Sequence, residues 1–432
     1  MTANPSKIPT KKKMVRRKKN IIFGVFFFVL FSYLVITWRI ISSIDSGEKN
    51  GNVANSLVGV STEEEDIDSF RSNKWPKLQN ALCGKGYPDP AQLHNLSTTF
   101  FNLARLEVFH DNEKSVRDDK LAKIFYDQDA WGTFLYYDAN QRYDTNPTFQ
   151  SVYMRAWKCG NNQIFAMTRE MFAETERFNG TFQVLTLEGT NAALKKVGLL
   201  GKEKPPLITP CIYTAVRDPV SHFLSGYNEI EFRTLEKENP PFKVAPYHKD
   251  VSFIFSHKMR ESNTSVSEDI FNSVEQQNRR KHRFKEFVKN LLQQKDAMIK
   301  SYEYYHAYSM TAVLNNLAKY NKTLTGYIPS VKNIHESWPH FIAEKCSGSP
   351  PFEEFPKMTY DGQHTSSIDP FQTYKAAKEV WTEKGNIASA ICLIHTFDYS
   401  CWKDLPDGVP DFCMEVYQKY YNTIVSEVLI KQ

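Results

Sequence analysis

Two stretches of this chain each run from apolar, β-favouring residues into a charged turn and then into a helical pattern, which restricts the fold to the α/β class. In the first, residues 151–157 read as a strand that ends at Lys158-Cys159-Gly160. Asn161 stands where a helix N-cap belongs, and Ile164, Phe165, Met171 and Phe172 recur on one helical face. In the second, 211–216 reads as a strand, Asp218 as a cap and Pro219 as the first residue of a helix reaching about Arg233. The apolar stripe of that helix is Val220, Phe223, Leu224, Tyr227 and Ile230, while Ser221 and Ser225 share its polar face. Residues 182–187 make a further strand between the two. Strands alternating with helices predict a parallel sheet. Residues 284–292, 309–317, 371–381 and 386–395 read as later helices.

The N-terminus constrains where this domain resides. Residues 1–20 carry eight Lys or Arg and no acid, so the formal charge of +5 belongs to the tail, and nothing in the remainder points to nucleic acid. An uncharged run over residues 21–38 follows, ending at Trp38-Arg39. As a helix it would span about 27 Å, close to a thin bilayer core. Basic residues before it place that end in the cytoplasm, giving a type II membrane protein. A cleaved signal peptide and a buried core helix are the alternatives. Residues 39–74 are polar and acidic and read as a flexible stem, leaving 75–432 as the luminal domain.

Four N-glycosylation sequons agree with a luminal placement, at Asn95, Asn179, Asn263 and Asn321. The chain has seven cysteines. In an oxidising lumen an odd count leaves at least one thiol free, unless it bonds another chain. Proximity favours Cys401 with Cys413, and Cys159, inside the first turn, is a poor candidate for bridging. No Cys/His cluster has zinc spacing.

A turn between a strand end and a helix start presents unpaired N–H groups and a positive dipole end to an anion. Gly160 permits close backbone approach and Lys158 adds an ammonium. Arg217 offers a phosphate fork, with Ser225 supplying a hydroxyl on the following helix. Lys158-Cys159-Gly160-Asn161-Asn162 resembles the Lys-x-Gly-Thr-Thr loop of sulfotransferases, with asparagines where the family has threonines and Trp157 where it usually has proline. Arg217-Asp218-Pro219, with Ser225-Gly226-Tyr227 beyond, is similar to the family's 3′-phosphate segment. Weaker likenesses are His306-Ala307-Tyr308-Ser309-Met310, Tyr327-Ile328-Pro329-Ser330-Val331, Asp361-Gly362-Gln363-His364-Thr365-Ser366-Ser367 and Thr396-Phe397-Asp398-Tyr399-Ser400-Cys401-Trp402.

The chain therefore resembles the Golgi-type membrane-bound carbohydrate sulfotransferases over roughly residues 150–405. The resemblance implies a P-loop-like three-layer domain with a central parallel sheet, and 3′-phosphoadenosine 5′-phosphosulfate as donor. It implies a hydroxyl acceptor, most readily a glycan, with a protein tyrosine or a lipid headgroup also open, and no required metal. Lys158, Gly160, Asn161 and Asn162 would hold the 5′ end of the donor, and Arg217 and Ser225 the 3′-phosphate. Thr365 and Ser366 would belong to a closing loop. Lys158 would stabilise the departing phosphate, and the acceptor needs a base. Glu188, at a strand end, is the first candidate and His306 the second.

Other readings compete. Lys158-Cys159-Gly160 is also a plain surface turn, Arg217-Asp218 a local ion pair, and Glu188 and His306 ordinary structural residues. On the helix after Pro219, His222 is expected to face solvent. The run Arg279-Arg280-Lys281-His282-Arg283-Phe284-Lys285 is a solvated helix face or a contact for an anionic glycan. Asp127-Gln128-Asp129 has the Asp-x-Asp pattern of metal-dependent type II glycosyltransferases, as has Asp66-Ile67-Asp68. A non-catalytic luminal glycan-binding protein is the third alternative.

Overall fold

The computed structural model describes residues 66–110, 120–127, 133–137, 150–173, 181–185, 189–200, 209–236, 272–293, 302–349, 369 and 371–429. The body opens with helical turns Ile67–Ser69 and Phe70–Lys74, continuing into α1 (Trp75–Cys83). Next come α2 (Pro90–Phe109), α3 (Lys120–Asp127), β1 (Thr133–Tyr137), β2 (Ser151–Met154) and α4 (Asn161–Ala173). After these follow β3 (Thr181–Leu185), α5 (Gly189–Lys196), β4 (Cys211–Ala215), α6 (Pro219–Glu236) and α7 (Val274–Leu292). A 3-10 stretch, Tyr302–Ala307, leads to α8 (Ala312–Ala318), β5 (Gly326–Ile328) and α9 (Ile334–Lys345). The chain closes with α10 (Thr373–Thr382), α11 (Asn386–Ile394), α12 (Thr396–Cys401) and α13 (Asp411–Leu429).

This is an α/β fold, mostly helical, around a five-stranded sheet in the order β3-β1-β2-β4-β5. β2, β4 and β5 pair in parallel, with Tyr153 opposite Tyr213 and Tyr213 opposite Gly326. The sheet is not parallel throughout, as the alternation had suggested. β1, a Thr-Phe-Leu-Tyr-Tyr run that the sequence reading passed over, lies between β2 and β3 and is antiparallel to both.

The buried strands β2 and β4 send alternate side chains into two cores, as the two-residue strand period requires. Val152, Met154 and Ile212 join the larger core, which holds Phe223 and Tyr227 of α6 and Phe284 and Phe287 of α7. Tyr153, Tyr213 and Ala215 point the other way, toward Ile164 of α4 and Trp338 and Ile342 of α9. Trp338 Nε1 donates to the Tyr213 hydroxyl at 2.9 Å, satisfying two polar groups in that second core.

Two further expectations are corrected. Residues 67–74, assigned to the stem, are helical, and Phe70 is fully buried against Tyr421, so the folded body begins before Trp75. Cys401 pairs with Cys83, not with Cys413, which pairs with Cys392; Cys211 and Cys346 form the third bridge. Proximity along the chain misled because α12 packs on α1, carrying Cys401 to the end of that helix. Cys159 is the free, buried thiol. Among the described residues no helix is long and apolar enough to cross a membrane, and residues 21–38 lie outside them. So do the Asn179 and Asn263 sequons, whereas Asn95 and Asn321 are exposed.

Candidate functional site

Parallel pairing of β2 with β4 brings both charged turns to one edge of the sheet, because each follows the C-terminal end of its strand. That edge is where open α/β sheets present ligand sites. Arg217 Nη1 lies 3.1 Å from Ser225 Oγ and 3.4 Å from the carbonyl oxygen of Lys158. Two segments some sixty residues apart thus form one cationic corner.

The first turn is built on two left-handed residues, Lys158 at φ 58° and Gly160 at φ 70°. Glycine takes this conformation freely; a lysine there costs about 1–2 kcal/mol, the kind of strain that collects at functional loops. α4 then begins, with Ile164 N–H bonding to the Gly160 carbonyl at 2.9 Å. The preceding N–H groups, of Asn161, Asn162 and Gln163, have no intrahelical acceptor by helix geometry and open at the turn.

Asn161 does not act as the cap. Its Oδ1 accepts the Tyr153 hydroxyl at 2.7 Å, and the residue is buried, so its side chain anchors the turn to β2. Asn162 is exposed. Of the two amides expected to contact an anion with their side chains, only Asn162 is placed to reach outward.

Lys158 Nζ is 3.1 Å from Glu229 Oε2. Glu229 is nearly inaccessible, while the lysine side chain keeps 20% of its surface exposed. The sequence reading missed this carboxylate. Its signal was present: Ser221, Ser225 and Glu229 recur every four residues along one face of α6. Desolvating this pair costs each partner hydration, and removing one would strand the other charge.

The second turn is held by Asp218. Its Oδ1 accepts the Ser221 N–H at 2.7 Å, which confirms the expected cap, and its Oδ2 accepts the Tyr399 hydroxyl at 2.9 Å. Arg217-Asp218 is therefore no simple local pair: the carboxylate is committed to the helix start and to α12.

His222 is not on the solvent face. It is 1% exposed, and its Nε2 donates to the Trp157 carbonyl at 2.8 Å, tying α6 to the first turn. Burial, with His395 and Arg217 nearby, pushes its pKa down to about 3, so the ring is neutral near neutral pH. Behind it lies a buried cluster on Asp398, which accepts from the Ser309 hydroxyl (2.7 Å), the Thr311 N–H (2.8 Å) and hydroxyl (2.7 Å), and bonds His395 Nδ1 (2.6 Å). Burial raises the Asp398 pKa, but bonds from His395, Ser309 and Thr311 outweigh it and hold the carboxyl below its usual value.

His306 is buried on the 3-10 stretch, its ring centroid 4.5 Å from that of Trp157. Gly226 lets α6 pack closely on the backbone of that stretch: a Cβ there would sit 2.2 Å from the His306 carbonyl oxygen. The Cys159 thiol lies 3.5 Å from Met310 Sδ, and burial pushes its pKa up to about 12, so it stays protonated.

Glu188, Thr365, Ser366 and Asp129 lie outside the described residues, and Asp127 ends α3. Asp68 lies 3.7 Å from Arg71 on the surface. In the basic run, Arg279 pairs with Glu275, Lys281 with Glu379 and Glu383, Lys285 with Glu383, and Arg283 with the buried Glu231. That face is thus largely neutralised by its own acids. No family model, curated protein or solved structure matches the chain.

Proposed function

We propose that the protein is a membrane-anchored sulfotransferase of the Golgi lumen, moving a sulfuryl group from 3′-phosphoadenosine 5′-phosphosulfate to a hydroxyl, most readily that of a glycan. The observation that carries this reading is the corner in which Arg217 meets both Ser225 and the Lys158 turn. Two phosphate-bearing ends of one donor need two cationic places a short distance apart, on one edge of a parallel sheet. The two-sided packing around β2 and β4 suits a P-loop-like three-layer arrangement. Three disulfides favour an oxidising compartment, consistent with a luminal domain behind the basic tail and residues 21–38.

In this reading the free N–H groups at the start of α4 and the Lys158 ammonium hold the 5′ end, and Arg217 with Ser225 holds the 3′-phosphate. The donor supplies an activated sulfuryl group whose bond to phosphate breaks as the bond to the acceptor oxygen forms. Lys158 offsets charge on the departing phosphate, exchanging part of its contact with Glu229 for the ligand. Positioning and charge stabilisation carry most of such a transfer. Glu188 is the candidate to take the acceptor proton and His306, beside Trp157, the second candidate.

The test is calorimetric titration of the purified full chain with 3′-phosphoadenosine 5′-phosphate, without added metal. Arg217→Ala should weaken binding about ten- to a hundredfold, the range expected for losing a charge-assisted bond. Lys158→Ala should weaken it comparably. No adenosine bisphosphate binding, with manganese-dependent binding of a UDP-sugar instead, would overturn the proposal.

A further inference from the structure

We infer that a cavity apart from the Lys158–Arg217 corner is a binding site for an anionic saccharide. It has a volume of about 570 Å³, within the roughly 300–1,000 Å³ range of small-molecule sites. It lies against the N-terminal end of β5, at Gly326 and Tyr327. The Arg217 turn lies by the opposite end of that strand, where Val216 N–H bonds to the Ile328 carbonyl at 2.9 Å. The cavity is therefore not part of the Lys158–Arg217 corner, and the inference does not rest on the sulfotransferase reading.

Three lysines from three separate segments line it: Lys85 after α1, Lys322 before β5 and Lys403 after α12. None of the three has an ion-pair partner among the described residues. The contrast with α7 is informative, because there Lys281 and Lys285 are matched by Glu379 on α10 and Glu383 just after it. The cavity's one acid, Asp404, is already engaged: it accepts the Tyr327 hydroxyl at 3.0 Å, and its N–H donates back to that oxygen at 3.1 Å. Three lysines against one aspartate leave the lining net positive, and no other acid lines it among the described residues.

The remaining wall selects among anions. Tyr87 and Tyr327 are half-buried, and Tyr327 meets Trp402 edge to face at 4.9 Å. Flat aromatic surfaces beside flexible ammonium groups suit a sugar ring, whose C–H face stacks on an aromatic while a sulfate or carboxylate meets a lysine. A simple inorganic anion would use the lysines and leave the aromatic wall unused. The buried Trp402 Nε1 has no hydrogen-bond partner among the described residues, a further polar group on this wall. The Asn321 sequon stands at the rim, next to Lys322 and Thr323 of the lining.

The experiment uses the full chain carrying Asn321→Gly, which removes the glycan acceptor while suiting the positive φ of 53° at that position. Binding is measured for a sulfated heparin tetrasaccharide, a carboxylated but unsulfated hyaluronan tetrasaccharide, neutral chitotetraose and inorganic sulfate. One or both anionic saccharides should bind, with affinity falling about fivefold for each of Lys85→Ala, Lys322→Ala and Lys403→Ala, as for one partly screened charge contact. Tyr87→Ala should weaken binding as well, and Arg217→Ala should leave it unchanged. The lysine variants should melt with the parent, since Lys85 and Lys403 are exposed and Lys322 partly so. The inference is overturned if neither anionic saccharide binds, if chitotetraose or sulfate alone binds as tightly, or if the loss follows Arg217 rather than the lysines.

Discussion

Acidification should weaken this fold through His222, and the size of the effect follows from its burial. In the unfolded chain the imidazole titrates near its ordinary value of about 6.5. In the fold it titrates at about 3, because burial penalises the charged ring and His395 and Arg217 oppose a further positive charge more than Asp398 favours it. Between those values the unfolded state binds the extra proton, so stability rises with pH across that window and falls as pH drops. Going from pH 7.5 to pH 5 should cost about 2 kcal/mol through this one residue, at a limiting slope of about 1.4 kcal/mol per pH unit. The assay is urea denaturation of the full chain at several pH values in that interval, for the parent and for His222→Gln. Glutamine stays neutral throughout and keeps an N–H for the Trp157 carbonyl. Other titrating groups are common to both proteins and cancel in the difference of slopes. Superimposable pH dependences, or an NMR titration of His222 near 6.5, would refute the reasoning.

Gly226→Ala should destabilise the protein by about 1–3 kcal/mol, the usual cost of overpacking, since the new Cβ would meet the His306 backbone; a melting temperature equal to the parent's would contradict this. Replacing both Cys211 and Cys346 with serine should cost about 3–5 kcal/mol in chemical denaturation, because that bridge closes a 135-residue separation, whereas the serine pair at Cys392 and Cys413, separated by 21, should cost less. Glu229→Gln should lower stability by leaving the Lys158 ammonium with one fewer countercharge, yet tighten adenosine bisphosphate binding about tenfold by removing a carboxylate that competes for it; weaker binding in calorimetry would remove Glu229 from that role.

The strands and helices that flank the two turns were legible because each carries its own local signal. The Asp218-Pro219 start of α6 is an example: the cap, the fixed proline φ and the apolar stripe all agree, and the structure bears out the Asp218 bond to Ser221. β1 was not legible in the same way, for it is a short run whose role depends on fitting between β2 and β3. The disulfides failed for the same reason. Cys83 and Cys401 are 318 residues apart in sequence, and only the packing of α12 on α1 brings them together. Asn161 was misread because a capping asparagine and one that accepts from a tyrosine look alike in letters; Tyr153, eight residues earlier and facing the same core, decides between them. His222 was placed in solvent because a histidine next to a serine on a helix reads as polar, although its acceptor is a backbone carbonyl that no side-chain pattern shows.

The corner itself shows how two weak turn signals come together in one place. A lysine turn after a strand is common, and so is an arginine before a capping aspartate. What joins them is the parallel register of β2 and β4, which fixes the distance between two strand ends to that of neighbouring strands, about 4.8 Å. The helices that follow then depart on opposite faces, α4 over the second core and α6 over the first, leaving Lys158, Gly160 and Arg217 half-buried between them. α6 contributes further through its four-residue period, which sets Ser225 beside Arg217 and Glu229 beside Lys158 on a single face. The other groups around the corner hold it in place: His222 fastens the first turn to α6, and Tyr399 fastens Asp218 to α12. An anion that binds there meets cations already aligned by backbone and helix geometry, so its binding free energy goes into displacing Glu229 from Lys158 rather than into assembling the cations.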